Sequence, residues 1–289
     1  MLISAAVCCA VGVGLTFFRG GRLVSVVQDL VRKAAAQPPR WPDARVELHS
    51  PAAALPAGFG KYRILVDPGH GAEGNSGNSS AFCEDEQDFT LRVGLELAAA
   101  LARTGHFEAR LSRPPGLLVP YPQRVAEAER WSAQAFISLH SDVRGQAQKW
   151  SPAPDLQCSR SEQAPGFAVL YSDLGPLAEP RRRLALAVAR RLIGTGLLPY
   201  DGEEYYQIYE AETHQPGVFI DRHEPAKQIF VLRRPTMPSI IIETHNAWDP
   251  REATRWRQQR TLESFQSAVI NALIDALTKA PSKGMQPDL

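Results

Sequence analysis

Three short apolar runs in this chain each end on a residue that can bind a metal or move a proton. Ile64-Leu65-Val66-Asp67 passes through Pro68-Gly69 into His70, Phe136-Ile137-Ser138-Leu139 runs into His140, and Ile240-Ile241-Ile242 runs into Glu243. Short apolar runs bounded by turn residues read as buried strands. In an open α/β sheet, ligands and chemistry gather in the crevice at the carboxyl ends of the strands. Two histidines and a carboxylate delivered to that edge predict a metal site with an acid/base group beside it.

The pattern between these runs supports the sheet. Strand-like segments fall at 61–67, 106–111, 134–139, 166–172, 228–232 and 239–242, and helical periodicity at 87–104, 122–132, 183–193 and 251–278. Phe89, Val93, Leu97 and Leu101 recur every fourth position, which buries one helix face. The alternation predicts an α/β fold, a mixed and mostly parallel sheet of about six strands sandwiched between helices. It forms a single catalytic domain over residues 61–280, with a flexible tail at 281–289. Residues 141–165 have no periodicity and follow His140 directly, so they are expected to lie over the site. Residues 199–226, rich in Tyr, Glu, Asp and His, also break the alternation and read most simply as a surface hairpin.

Residues 1–18 carry no charged side chain, and Arg19 and Arg22 follow at once. The segment suits a secretory signal or a membrane anchor, with a hydrophobic helix of a soluble protein as the alternative. The positive-inside rule would keep the domain cytoplasmic unless a basic region lies upstream. A short helix and a Pro/Ala-rich linker are expected over 19–60. Export would place the protein in the cell envelope, periplasmic or extracellular, and membrane-anchored if residues 1–18 are retained. There Cys83 and Cys158 are expected to pair, tying the loop after His140 to the loop carrying Glu86. An internal location would leave two free thiols. A net charge of +1 argues against nucleic-acid binding driven by charge. Nothing in the sequence sets the oligomeric state.

Asp67-Pro68-Gly69-His70-Gly71 is a sharp strand-to-loop corner that presents His70 at the sheet edge. Glu86 opens the first helix of the domain, and a helix starting at that edge brings it close to His70. His70, Glu86 and His140 together form a His₂Glu set, and three protein ligands with an open fourth position are the pattern of a catalytic zinc. Glu243 is the candidate general base for the attacking water and then the acid for the departing amine. His245 reads as a supporting partner or as a hydrogen-bonded loop histidine.

These residues resemble the zinc-dependent N-acetylmuramoyl-L-alanine amidases of bacterial cell-wall turnover, over roughly residues 61–278. The parts stand in family order: Val66-Asp67-Pro68-Gly69-His70-Gly71, Glu86-Gln87-Asp88, Leu111-Ser112-Arg113, Gln123-Arg124-Val125, Phe136-Ile137-Ser138-Leu139-His140-Ser141, Val231-Leu232-Arg233 and Met237-Pro238-Ser239-Ile240-Ile241-Ile242-Glu243-Thr244. The resemblance implies Zn²⁺ on His70, Glu86 and His140, with Glu243 activating the metal-held water. The bond cut would be the amide between N-acetylmuramic acid and L-alanine in peptidoglycan. Asn78, Asp142, Arg222, His223 and His245 are candidates for supporting or substrate contacts. The chain departs from the family at His140-Ser141-Asp142, at His245-Asn246, and at an insertion-like Ser79-Ser80-Ala81-Phe82-Cys83. Two other functions compete: a zinc amidohydrolase or peptidase acting on a different peptide, and a non-catalytic peptidoglycan-binding relative.

Overall fold

The apolar runs become the central strands of one sheet. The computed structural model describes residues 39–278 apart from positions 206 and 225. The segment 1–18, the helix expected at 19–35 and the tail 281–289 lie outside the described residues. Among those described, no helix is long and apolar enough to cross a membrane.

In chain order the elements are β1 (Tyr62–Pro68), α1 (Glu86–Arg103), β2 (Phe107–Leu111), α2 (Tyr121–Arg130), β3 (Ala135–Asp142), β4 (Gln148–Ala153), β5 (Leu156–Arg160), β6 (Ala168–Tyr171), α3 (Ala178–Gly194), β7 (Tyr209–Ala211), β8 (Val218–Asp221), α4 (Phe230–Arg233), β9 (Ser239–Asn246), α5 (Pro250–Arg255) and α6 (Gln259–Leu277). Seven strands form one sheet in the order β2-β1-β3-β9-β6-β8-β7, and β4-β5 is a separate hairpin. The pairs β2-β1, β1-β3, β3-β9 and β6-β8 are parallel. β6-β9 and β7-β8 are antiparallel.

Strand alternation divides the core. Ile64, Val66, Ile137, Leu139, Ile240 and Ile242 point toward α1, α3 and α6. Leu65, Phe136 and Ile241 point to the other face, under α2 and the segment carrying Tyr200 and Tyr205. On α1, Phe89, Val93, Leu97, Ala100 and Leu101 are buried. Each such apolar side chain contributes about 1.5–3 kcal/mol by leaving water. α1 begins where Asp85 is extended at the N-cap, and Glu86 and Asp88 put negative charge into its positive first turn.

The structure corrects four expectations. Residues 228–232 are not a strand: Phe230–Arg233 form one helical turn. The place beside β6 belongs to β8, which lies inside the 199–226 segment and pairs with it from Val169↔Val218 onward. That segment does form a hairpin, β7-β8, but one built into the main sheet through β8 rather than standing apart from it on the surface. The helix expected over 251–278 breaks after Arg255, where Trp256 turns inward at 1% exposure. The linker reading fails from residue 40, because the compact unit begins at Arg40. Trp41 and Leu48 are buried. Ser50 Oγ lies 3.0 Å from Ser264 Oγ, and Ala54 N donates to Asn271 Oδ1 at 3.0 Å. The Pro/Ala composition resembled a linker, but its polar groups find fixed partners on α6.

Residues 141–165 carry the β4-β5 hairpin, and Cys158 on β5 is disulfide-bonded to Cys83 with Cα atoms 5.5 Å apart. Trp150 on β4 donates its indole N–H to the Ala81 carbonyl and stacks edge-on against Phe82.

Candidate metal centre and active site

β1 and β3 are parallel neighbours, so their carboxyl ends deliver His70 and His140 to the same edge. The chain after β1 turns sharply, with His70 at φ 59° and Gly71 at φ 68°. A non-glycine residue in that left-handed region is strained, and the surroundings must hold it. Arg124 does so: its Nη1 donates to the Pro68 carbonyl at 2.8 Å, its Nη2 to the His70 carbonyl, and its Nε to the Val119 carbonyl at 2.8 Å. Arg113 Nη2 bridges from the Gln87 carbonyl to that of Gly69. Arg124 is fully buried against Asp67, whose other oxygen accepts from Ser138 Oγ at 2.6 Å. The sequence motifs around Arg113 and Arg124 thus brace the corner that carries His70.

His70, Glu86 and His140 form a cluster. Glu86 Oε2 is 3.0 Å from His70 Nε2, and Glu86 Oε1 is 3.1 Å from His140 Nδ1. The two ring nitrogens stand 3.2 Å apart. Three donors about 2.0–2.1 Å from one tetrahedral zinc stand about 3.3 Å apart, so the donor set fits that ion. The hydrogen bonding points the same way. His70 Nδ1 faces Asn75 Oδ1 at 2.7 Å, which fixes the proton there and leaves the Nε2 lone pair aimed at a carboxylate and a second imidazole. Lone pairs converging in this way call for a cation.

Glu86 is itself anchored. Asn78 donates its backbone N–H at 3.1 Å and its side-chain amide at 2.7 Å to Oε2, and Ser141 N donates to Oε1 at 2.9 Å. Burial would raise the Glu86 carboxyl, but the hydrogen bonds and charge of His140 and His70 outweigh it and hold it well below the usual carboxylate range. Burial likewise works to lower His70, and Glu86 reverses it, leaving that pKa raised. Two glycines keep the cluster tight. A Cβ on Gly69 would strike the His140 ring, and one on Gly77, at φ 81°, would lie 2.6 Å from Glu86 Oε2 and 2.7 Å from His70 Cδ2.

Glu243 sits beside His140 in the β3-β9 register. Its Oε2 is buried with no hydrogen-bond partner. Burial, together with the carboxylates of Asp142 and Glu86, raises its pKa well above the ordinary value, and Arg144 opposes the rise. Asp142 accepts from Tyr205 Oη and from Arg144 Nε at 3.1 Å. A bulge follows, since His140↔Glu243 is succeeded by Asp142↔Asn246. That extra residue turns His245 to the opposite face, where it is buried 4.9 Å from Phe89 and stacked 5.5 Å from Trp256. Burial depresses its pKa to about 3, so it is neutral at physiological pH.

Of the residues singled out from sequence, His70, Glu86, His140, Glu243, Asn78 and Asp142 come together. His245 lies behind the sheet from Glu243. Arg222 and His223 are not brought there. They follow β8, which runs parallel to β6 and hence away from the edge where Ala168 faces Glu243. Arg222 pairs with Asp173 at 2.8 Å and Glu210 at 2.6 Å, and His223 with Asp221 at 2.7 Å. Sequence reasoning gave no role to Asn75 or to Arg144. Asn75 lies in the Gly-rich loop after His70, and that position was its only signal. Arg144 gave no signal at all.

A mixed α/β sheet that gathers at one edge a His-Glu-His cluster and a carboxylate with one unpartnered oxygen defines a protein with a candidate metal site. The chain belongs to the N-acetylmuramoyl-L-alanine amidase family, whose family model matches residues 64–275. It is 32% identical over 243 residues to N-acetylmuramoyl-L-alanine amidase AmiC of Escherichia coli, covering 75% of this chain and 54% of that protein. It is 33% identical over 198 residues to the probable amidase AmiB of Haemophilus influenzae, covering 63% of this chain and 44% of that one. The chain thus spans about half the length of these curated relatives. Among solved structures, N-acetylmuramoyl-L-alanine amidase AmiC2 of Nostoc punctiforme superposes with a TM-score of 0.51 at 25% identity, over 77% of this chain and all of that one. Ami1 of Mycobacterium smegmatis shares the fold with a TM-score of 0.56 at 21% identity, over 74% of this chain and 96% of that one.

Proposed function

We propose that this chain is a zinc-dependent hydrolase that cleaves the amide between N-acetylmuramic acid and L-alanine in peptidoglycan. The observation that carries the reading is the His70-Glu86-His140 cluster with Glu243 beside it, one of whose carboxylate oxygens is buried without a partner, on the family's fold. A zinc ion held by His70, Glu86 and His140 would supply Lewis acidity to the amide carbonyl and to the attacking water.

The residues of the chain do the rest. Glu243 takes a proton from the water as its oxygen adds to the amide carbon. It then returns that proton to the amine nitrogen as the carbon–nitrogen bond breaks. Burial and the neighbouring carboxylates raise its pKa above the ordinary value, which makes it a stronger proton acceptor than a free carboxylate. Asn78 and Ser141 hold the Glu86 carboxylate, and Asn75 holds the His70 tautomer, so the donors need not reorganise. The action on peptidoglycan places the protein in the cell envelope, where the Cys83–Cys158 bridge would persist.

The test is mass spectrometry of purified muropeptides incubated with zinc-loaded protein. Release of free stem peptide beginning at L-alanine, together with peptide-free sugar, is the expected result. Cleavage within peptides not attached to sugar, with muropeptides untouched, would replace this reading by that of a zinc peptidase. Binding without cleavage would make the chain a non-catalytic relative.

A further inference from the structure

A cleft lies at the opposite edge of the sheet. β6 is antiparallel to β9, with Ala168 beside Glu243, so the residues after β6 and those before β9 meet at the end away from the metal cluster. There they line this open cleft of about 600 Å³. Arg181, Arg233 and Arg234 line it with Gln228, and no acidic residue does. Leu174, Leu177 and Pro235 supply apolar walls, which strengthen any charge interaction inside.

Arg181 is the informative member. It is only 3% exposed. Its Nη1 donates to the Leu174 carbonyl at 3.0 Å and its Nη2 to the Pro235 carbonyl at 3.3 Å. Its Nε is buried with no partner. No ion pair involves Arg181 among the described residues, and burial alone shifts its pKa, downward. Burying a cation with no counter-charge is costly, and an anionic partner offsets part of that cost. Arg234, exposed at the rim, packs on Phe230 and likewise forms no ion pair among the described residues. The nearby acids are engaged or turned elsewhere: Asp173 pairs with Arg222, and Glu179, in the first turn of α3, does not line the cavity. The positive end of the 17-residue helix α3 adds to the field, and its N-cap Leu177 offers no capping side chain.

We propose that this cavity is a binding site for the oxyanion group of a ligand, a carboxylate or a phosphate, held by Arg181 at its base and Arg234 at its rim. The site is separate from the metal centre and does not depend on it.

Inorganic phosphate and acetate are the probes, titrated by calorimetry into zinc-loaded protein and into protein stripped of metal by a chelator. The nitrogen–proton resonances of the arginine Nε groups are followed by NMR in parallel. Saturable binding of one or both anions, unchanged by metal removal and moving the Arg181 Nε signal, is expected. Tighter phosphate marks a phosphate ligand, and tighter acetate a carboxylate. Arg181→Met should abolish binding. Because Arg181 also ties two loops together, Arg234→Gln provides the second arm on an exposed side chain and should weaken binding about tenfold. Binding that vanishes with the metal, no binding of either anion, or undiminished binding in Arg234→Gln would overturn the proposal.

Discussion

His70 and His140 each carry the metal reading on a single ring nitrogen. His70→Ala and His140→Ala are expected to lose bound zinc, measured by metal analysis after dialysis, with the circular dichroism spectrum retained. Full zinc occupancy in the double variant would assign the metal elsewhere. Glu243 tests the chemistry separately from the metal. Glu243→Gln keeps the shape and removes the base, so it should retain zinc and lose about 10²–10⁴-fold in turnover. A Gln variant within a few-fold of the parent would show that another group moves the proton. At this scale the sequence was informative, because a histidine or glutamate closing an apolar strand has few structural uses. It was misleading for His245: one bulge residue in β9 sends that ring behind the sheet, and no spacing rule shows a bulge.

At the scale of elements, the loop between β1 and α1 and the β4-β5 hairpin act as one unit. The loop holds Asn78 and Cys83 and leads into Glu86 at the start of α1, and the disulfide and the Trp150–Ala81 hydrogen bond fasten it to the hairpin. The bridge closes a span of 75 residues. Cys83→Ser with Cys158→Ser is expected to cost about 2–4 kcal/mol in urea unfolding. An equal stability of the parent and the double serine variant would show that the bridge leaves the unfolded chain no more constrained. Strands buried on both faces were legible from their apolar runs. The run at Ile229-Phe230-Val231-Leu232 was not, because a short apolar run fits a strand or a helical turn equally well. What decided it was β8 taking the position next to β6.

On the scale of the whole molecule, Glu252 joins distant parts. It is fully buried in α5 and accepts hydrogen bonds from the Trp41 indole, from Gly166 N at 3.0 Å and from Asn246 N at 2.9 Å. Burial raises its pKa from the ordinary 4.5 to about 7, against the lowering effect of those donors. Between these two pH values the folded chain keeps a proton that the unfolded chain has released. Stability contributed by this group is therefore highest below about pH 4.5 and falls as pH rises to about 7, by roughly 3 kcal/mol in all. Urea unfolding between pH 5 and 8 should show that decline, and Glu252→Gln should flatten it. An unchanged slope would assign the proton to another buried group.

The same residue shows where the sequence stops being sufficient. The sequence by itself determined the layered α/β class and the central strands, and it singled out His70, Glu86, His140 and Glu243 as candidates. Those depend on local periodicity and on the rule that parallel strands present their carboxyl ends together. Only the tertiary structure decided that residues 40–54 belong to the domain, that Arg124 and Arg113 brace the His70 corner, and that Arg222 and His223 lie away from the site. It also placed Arg181 in a cavity of its own. Each of these is a contact between segments far apart in the chain, or a consequence of strand direction. Side-chain periodicity records which residues face inward, and not which distant partner they meet.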